Sequence, residues 1–319
     1  LPNVVGTDIF CGGQTLLPGT GQVLLVGGDA SVNGVRNYAT KDVNVFDYAS
    51  NLISAAPTKM AFNRWYATVV TQPNGEQLVL GGRNDKDFAG TASVPATTAS
   101  YITIPEMRGA DGAWRSFATL SNDYAYGAIG SSWFYPRAWV KPDGNTFILA
   151  HNGMTFTMDP KGAGTLVKHA AKAPLGRNTL PSVMFAPGRV LSVRENRTAV
   201  VVDINATEPV VSGAGSVSAS RYWGNATVLA DGKVWVSGGS GVTNELVDVA
   251  QRSELWDPAT NTWKLTASAA QPRLYHSTAI LLRDGTVATG GGGAPGPLRL
   301  LDAEIFYPPY LFKRDGSGE

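Results

Sequence analysis

The chain has 319 residues, 16% of them charged, and a formal net charge of +1. This low and balanced charge argues against a surface that binds nucleic acid or another polyanion. The sequence has no 18-residue apolar run, so no membrane-spanning helix is predicted. A single cysteine, Cys11, excludes an internal disulfide framework.

Short β-rich runs separated by Gly, Asn, Asp and Pro predict an all-β fold. Six repeats of roughly 40–60 residues follow one another, a length typical of propeller blades. They begin near Cys11, Tyr66, Tyr135, Ser182, Trp223 and Tyr275. The second repeat is expected to continue with a strand at Ala99–Ile104.

Three of the repeats share a spacing. An aromatic residue (Tyr66, Trp223 or Tyr275) lies 15 positions before the first glycine of a Gly-Gly pair. The hairpin turns between them are Asn74-Gly75, Asp231-Gly232 and Asp284-Gly285. This recurrence favours a kelch-like β-propeller over a generic β-sandwich.

The repeats predict the domain organisation. Residues 1–312 are expected to form the propeller. No closing strand is recognisable, so we expect seven blades in the complete protein, with the N-terminal side incomplete here. Residues 313–319 are expected to begin a linker to a C-terminal β-sandwich domain outside this chain.

Radial repetition brings equivalent positions of different blades to one mouth of the central channel. Cys11, Tyr66, Trp223, Tyr275 and the adjacent His276 are therefore predicted to face one small space. Phenolate, imidazole and sulfur donors suit copper(II) better than magnesium or calcium. The alternative is structural: a Tyr-His pair that packs at a strand start, and a buried cysteine that acts as a small hydrophobe.

Taken together, these motifs resemble the copper-radical oxidases, the galactose oxidase and glyoxal oxidase family. The similarity runs from Asp8 to Tyr310. Four motifs carry it. They are Asp8-Ile9-Phe10-Cys11-Gly12-Gly13, Arg64-Trp65-Tyr66, Arg273-Leu274-Tyr275-His276-Ser277 and Gly290–Gly293. Arg64-Trp65-Tyr66 and Phe134-Tyr135-Pro136-Arg137-Ala138 are more similar to the glyoxal oxidase branch.

The resemblance implies a role for each matching residue. A thioether bond would join Cys11 to the ring of Tyr66, which would carry a protein radical and bind one copper ion. His276 would be a second copper ligand, and Tyr275 a third ligand and the general base. Trp223 would line the substrate pocket, and Arg137 is a weaker candidate for a substrate contact.

Two departures from the family pattern concern the site. The family has a second histidine ligand from a domain after the propeller, and His151 is a weak candidate for that role within this chain. Asn84 occupies the position where galactose oxidase has a tryptophan stacked on the modified tyrosine.

The resulting hypothesis is a secreted or cell-surface oxidase. It would convert a primary alcohol or hydrated aldehyde, with O2, to an aldehyde or carboxylic acid and hydrogen peroxide. One alternative is a non-enzymatic kelch-like propeller that binds a glycan or a protein. Another is an inactive fragment of such an oxidase. A sugar hydrolase is disfavoured, because the repeated position offers no pair of carboxylates.

Overall fold

A computed structural model describes residues 4–32, 35–84 and 101–313 of the chain. The described residues are almost entirely β, and they form two compact units, Leu1–Lys172 (unit 1) and Ala173–Glu319 (unit 2). Each unit contains three antiparallel sheets of three or four strands, which we call blades 1–3 and blades 4–6. The six blades confirm the predicted all-β propeller fold.

Unit 1 has three four-stranded blades and one additional hairpin. The strands of blade 1 are β1 (Gly13–Leu16), β2 (Val23–Val26), β5 (Val43–Asp47) and β6 (Leu52–Ala55), and the hairpin is β3 (Asp29–Val32) with β4 (Val35–Ala39). Blade 2 consists of β7 (Trp65–Thr71), β8 (Gln77–Arg83), β9 (Glu106–Arg108) and β10 (Trp114–Ser116). Blade 3 consists of β11 (Arg137–Val140), β12 (Thr146–Leu149), β13 (Met154–Asp159) and β14 (Thr165–Lys172).

Unit 2 has two four-stranded blades and one three-stranded blade. Blade 4 consists of β15 (Ser182–Ala186), β16 (Arg189–Val193), β17 (Thr198–Asp203) and β18 (Val210–Ser216). Blade 5 consists of β19 (Asn225–Val228), β20 (Val234–Ser237), β21 (Arg252–Asp257) and β22 (Thr262–Ser268). Blade 6 consists of β23 (Ser277–Leu281), β24 (Val287–Gly291) and β25 (Ala303–Phe306).

Helical structure in the described residues is limited to single turns. The one α-helix, α1 (Asp123–Tyr126), is capped by Asn122, whose side chain accepts the backbone N–H groups of Tyr124 and Ala125. The 3-10 turns are Ala118–Leu120, Ile129–Ser131, Glu195–Arg197 and Pro309–Leu311. No helix in the described ranges is long and apolar enough to cross a lipid bilayer.

The alternation of side chains along the inner strands builds the core between blades. On β8, Leu78 and Leu80 point to the side shared with blade 3, where they pack in a cluster with Ile148. Val79, between them, faces the side shared with blade 1 and packs in a cluster with Leu24. A strand with apolar residues at successive positions is thus buried on both faces, as stacked blades require.

An ion pair with a buried arginine recurs in blades 2, 5 and 6, with a buried glutamate in blades 2 and 5 and a half-buried one in blade 6. It links the segment before the first strand to the third strand of the same blade. The pairs are Arg64–Glu106 at 2.9 Å, Arg221–Glu254 at 2.7 Å and Arg273–Glu304 at 2.8 Å. The three arginines also donate to the carbonyls of Gly81, Gly238 and Gly291, respectively.

Two sequence expectations differ from the structure or lie outside it. The strand expected at Ala99–Ile104 was misplaced, because the third strand of blade 2 is Glu106–Arg108, where Glu106 bonds to Arg64. Ala99 and Ser100 lie outside the described residues, as does most of the expected linker, from Arg314 onward.

We expect Glu254→Ala to lower the free energy of unfolding by about 3–5 kcal/mol, since it leaves the Arg221 guanidinium buried without its counter-ion. The measurement is urea denaturation. The control is Arg189→Ala, which removes an exposed partner 3.9 Å from Asp203 and should cost about 1 kcal/mol or less. Equal decreases in the free energy of unfolding for the two variants would contradict a larger contribution from the buried pair.

Candidate functional site

The predicted site residues occupy a repeated backbone position that has an unusual conformation. Cys11, Tyr66, Trp223 and His276 have φ values of 58°, 66°, 64° and 66°. In this left-handed region a non-glycine residue is disfavoured, at a cost on the order of 1–3 kcal/mol. Tyr135, at the same place in blade 3, has φ 42°. Because the conformation recurs in five blades, it belongs to the blade architecture rather than to one functional residue.

Strand register defines this position and corrects one sequence alignment. Tyr66 lies opposite Gly82, between the pairs Trp65–Arg83 and Ala67–Gly81. In blade 6 the pair Ser277–Gly291 places His276 opposite Gly292. His276, not Tyr275, is therefore the structural equivalent of Tyr66, and the alignment of Tyr275 by Gly290 was wrong by one residue.

The shift arises from one extra residue in blade 6. Tyr66 follows Arg64 by two positions, whereas His276 follows Arg273 by three. Since both arginines are fixed by the buried ion pair of their blade, the additional residue is accommodated between the arginine and the strand. Blade 6 can in this way present two adjacent candidate ligands, Tyr275 and His276, where blade 2 presents one.

In unit 1, backbone hydrogen bonds join the equivalent residues of three successive blades. The N–H of Tyr66 donates to the carbonyl of Cys11 at 2.9 Å, and the N–H of Tyr135 donates to the carbonyl of Tyr66 at 2.9 Å. Cys11 and Tyr66 are both buried. The structure therefore brings together the two residues predicted to form the thioether bond.

The ring of Tyr66 lies in a cluster of aromatic side chains. Its centroid is 4.4 Å from that of Trp65 and 4.4 Å from that of Phe134, with Tyr135 edge-on at 5.1 Å and Trp133 at 6.2 Å. We call these five residues the Tyr66 cluster. Only 4% of Tyr66 is exposed, so the cluster removes the phenol ring almost entirely from water.

The Tyr66 cluster gives a structural account of the departure at Asn84. Asn84 follows the last residue of β8 and is exposed. Aromatic cover for Tyr66 comes instead from Trp133 and Phe134, which precede blade 3. Sequence reasoning did not assign a role to these two residues. The available signal was the aromatic triplet 133–135 directly before the first strand of a repeat.

Arg137, the weaker candidate for a substrate contact, opens β11 and is half-buried. Burial lowers the pKa of its guanidinium to about 10, so it is still cationic at neutral pH. A second arginine near the cluster was not identified from the sequence. The Arg83 guanidinium lies 5.1 Å from the Tyr101 ring and 5.8 Å from the Trp133 ring, within cation–π distance.

In unit 2, the rings of Trp223, Tyr275 and His276 lie in contact. The Trp223 and Tyr275 centroids are 4.0 Å apart with planes tilted by 36°, and the Tyr275 and His276 centroids are 3.5 Å apart and stacked. The backbone of Tyr275 is held as well, because the N–H of Gly293 donates to its carbonyl at 2.7 Å. The structure therefore brings together the three site residues predicted in this unit.

One hydrogen bond fixes the tautomer of His276. Its Nδ1 is 3.0 Å from the carbonyl oxygen of Ala294. A carbonyl can only accept, so Nδ1 carries the proton and Nε2 keeps its lone pair. Burial lowers the pKa of the imidazole, with a smaller opposing effect from this hydrogen bond. His276 is consequently a neutral imidazole at neutral pH, the form that binds a metal ion.

The other two histidines have different surroundings. His169, on β14, is 8% exposed, and its Nε2 is 2.8 Å from the Thr157 hydroxyl on the neighbouring strand. This hydrogen bond satisfies a buried ring nitrogen and gives His169 a structural role. His151 lies opposite Tyr135 in the register of blade 3, next to Gly130. Among the residues that the structure describes, no three His, Cys, Asp or Glu side chains form a metal-binding group.

The donor types present fit the copper that the resemblance implies. His276 offers an sp² nitrogen in the neutral state and in a fixed tautomer. Tyr66 and Tyr275 offer phenol oxygens, which metal coordination converts to phenolates. Imidazole nitrogen with anionic oxygen suits copper(II).

Comparison with known proteins identifies relatives of the chain, although no protein-family model matches it. The galactose oxidase of Gibberella zeae is 24% identical over 336 aligned residues, covering 97% of this chain and 46% of that protein. Aldehyde oxidase GLOX1 of Arabidopsis thaliana is 25% identical over 366 aligned residues, covering 97% and 54%. The chain thus spans about half the length of these curated relatives.

A solved structure has the same fold. It is a fungal alcohol oxidase of the AA5 family in complex with copper, with a TM-score of 0.80 and 24% identity, covering 98% of this chain and 65% of that one. The similar identities to the two curated relatives do not separate the branches, so the closer resemblance to glyoxal oxidase stays a prediction. The curated relatives confirm the resemblance itself: along 97% of its length the chain is similar in sequence to a galactose oxidase and to an aldehyde oxidase.

Proposed function

We propose that the protein is a secreted or cell-surface oxidase that converts a primary alcohol or hydrated aldehyde, with O2, to an aldehyde or carboxylic acid and hydrogen peroxide. The observation that carries this proposal is the Tyr275–His276 pair, with His276 neutral, in one tautomer and in ring contact through Tyr275 with Trp223. The oxidase relatives support the reaction class.

Tyr66, Tyr275 and His276 would hold one copper ion in this proposal. When bound, copper would supply one-electron redox chemistry between the substrate and dioxygen. Tyr66, as the residue that would carry the radical, would take a hydrogen atom, and with it one of the two electrons, from the substrate carbon. Tyr275 accepts the hydroxyl proton, so the oxidation of the alcohol balances as two electrons and two protons.

The surrounding side chains would serve these steps. The Tyr66 cluster excludes water from the ring that carries the radical, and a Cys11 thioether makes that ring easier to oxidise. Trp223 packs on Tyr275 and gives the substrate an aromatic wall. Arg137 would offer a cationic hydrogen-bond donor to a substrate oxygen other than the one that reacts, such as the second hydroxyl of a hydrated aldehyde. The missing second imidazole would come from the domain predicted to follow the propeller.

The proposed seventh blade has support in blade 6. Ile280, Ala288 and Ile305 lie side by side in its strand register, on one face of the sheet. Ile280 is 60% exposed and Ile305 45% exposed. The opposite face is buried against blade 5, where Phe306 stacks on Trp235 with centroids 4.4 Å apart. Propeller blades are covered on both faces by their neighbours, so this apolar face suits a further blade.

We expect a Cys11–Tyr66 cross-linked peptide, lighter by two hydrogen atoms, in the longest natural form of the protein after treatment with copper(II) and air. Forming the S–C bond releases one hydrogen each from the thiol and the ring, with O2 as oxidant. Peptide mass spectrometry makes the measurement, and Cys11→Ser is the control that cannot form the bond. An unmodified thiol beside an unmodified Tyr66 would favour the binding-propeller alternative.

We expect Tyr275→Phe to lower kcat/KM for alcohol oxidation about 10²–10⁴-fold, because the variant keeps the ring that packs on Trp223 but lacks the proton acceptor. Peroxide release is the assay. The matched control is Tyr222→Phe, which removes a hydroxyl bonded to Glu195 and should retain activity within a few-fold. Full activity of Tyr275→Phe would exclude Tyr275 as the base.

Three N-glycosylation sequons occur in the sequence, at Asn196-Arg197-Thr198, Asn205-Ala206-Thr207 and Asn225-Ala226-Thr227. Secretion through a glycosylating pathway should modify Asn196 and leave Asn205 and Asn225 unmodified. Asn196 is exposed in a left-handed turn. By contrast, Asn205 donates to the Asp203 carboxylate at 2.9 Å, and half-buried Asn225 donates to the Ser277 hydroxyl at 3.0 Å. Glycopeptide mass spectrometry after eukaryotic expression, with Asn196→Gln as control, tests this. A glycan on Asn225 in folded protein would contradict it.

A further inference from the structure

The loop between β20 and β21 is a compact turn that carries one asparagine toward blade 6. The N–H of Gly241 donates to the carbonyl of Val247 at 2.9 Å, and the Ser240 hydroxyl donates to the carbonyl of Val242 at 2.7 Å. Asn244 lies within this turn with φ 55°, a conformation that asparagine tolerates better than most residues. The turn holds its backbone in place, so its side chain is presented from a defined position.

The Asn244 amide contacts the segment 293–296 of blade 6. Its Nδ2 donates to the carbonyl of Gly296 at 2.5 Å and, more weakly, to that of Gly293 at 3.5 Å. Both partners are carbonyl oxygens, so only the NH2 side of the amide can face them. The contact therefore requires a hydrogen-bond donor, and a carboxylate at this position would be repelled.

The same segment holds both candidate ligands of unit 2. The N–H of Gly293 donates to the carbonyl of Tyr275 at 2.7 Å, and the carbonyl of Ala294 accepts from Nδ1 of His276 at 3.0 Å. Asn244 binds Gly293, directly before Ala294, and Gly296, two positions after it. Its amide is thus two hydrogen bonds removed from the His276 ring, through a segment without strand or helix structure.

We infer that Asn244 is a positioning residue for His276. It fixes the 293–296 segment, so that the Ala294 carbonyl keeps His276 in the tautomer with a lone pair on Nε2. This inference rests on the proposed function for the consequence it draws about copper, but its effect on the histidine ring holds without any metal. Groups that orient a ligating histidine through its other nitrogen commonly affect metal affinity 10–100-fold.

The matched control is another left-handed asparagine that bridges two blades. Asn261, with φ 54°, donates from Nδ2 to the carbonyl of Gly213 in blade 4 at 3.2 Å. It lies in the turn between β21 and β22. Replacing either asparagine by glycine removes an amide and leaves the left-handed backbone unstrained. Asn261 also accepts from the Trp256 indole N–H at 3.2 Å, so Asn261→Gly removes one hydrogen bond more from the scaffold than the donor it shares with Asn244→Gly, and it is a stringent control for general loosening of the fold.

The first experiment measures the His276 tautomer in copper-free protein by ¹⁵N NMR of the imidazole ring. We expect wild type and Asn261→Gly to show a single tautomer with the proton on Nδ1. Asn244→Gly and the similarly sized Asn244→Asp should show loss of that single tautomer. An unchanged tautomer in both Asn244 variants would overturn the inference, as would equal loss in Asn261→Gly.

The second experiment measures copper(II) affinity by calorimetric titration of the same proteins. We expect Asn244→Gly to bind copper about 10-fold more weakly than wild type, with Asn261→Gly unchanged. Equal affinity of Asn244→Gly and wild type would overturn the inference. If the wild-type protein in its longest natural form binds no copper, the proposed function is refuted instead, and the tautomer measurement still decides the role of Asn244.

Discussion

A buried ion pair between an arginine and a glutamate fixes the geometry on which the candidate site depends. In blades 2, 5 and 6 the arginine comes just before the first strand, and the glutamate lies on the third strand. Taking both charges out of water is costly, and the pair is maintained by several hydrogen bonds that satisfy both partners. The glutamates also accept backbone N–H groups from the incoming segment, as Glu106 does from Ala61 and Glu254 from Ser218. The entry of the chain into each of these blades is therefore held at a defined place.

The site residues inherit this placement because they follow the arginine by two or three positions. Tyr66 and Trp223 follow Arg64 and Arg221 by two, and each enters its strand in the left-handed conformation. The glycine pairs at the strand ends leave room for the arginine segment that enters the neighbouring blade. A side chain at Gly238 would lie 2.6 Å from the carbonyl oxygen of Arg273, so the strand end must be glycine for the next blade to approach. The scaffold thus supplies equivalent, rigid positions, and the chemistry depends on which side chains occupy them.

The sequence was sufficient to predict the blades and their turns because both depend on local chemistry. Gly75, Gly232 and Gly285 have φ values of 84°, 79° and 85°, as their hairpin turns require. The register of blade 6 was not predictable in the same way. Four consecutive glycines at 290–293 offer several equally good alignments, and only the pairing of Ser277 with Gly291 selects one. The cover over Tyr66 was missed because Trp133 and Phe134 reach it from a different blade, a contact that no sequence spacing encodes.

Burial changes the properties of two residues of the candidate site, Tyr66 and His276. It keeps Tyr66 out of water, and it lowers the pKa of His276 below the ordinary histidine value. At a pH equal to that ordinary value, more than half of the His276 population is therefore neutral. Protonation of Nε2 would remove the lone pair that a copper ion needs, so the lowered pKa extends the metal-binding form toward acid pH. The desolvation that the scaffold imposes on this imidazole therefore widens the pH range over which it can bind a metal ion.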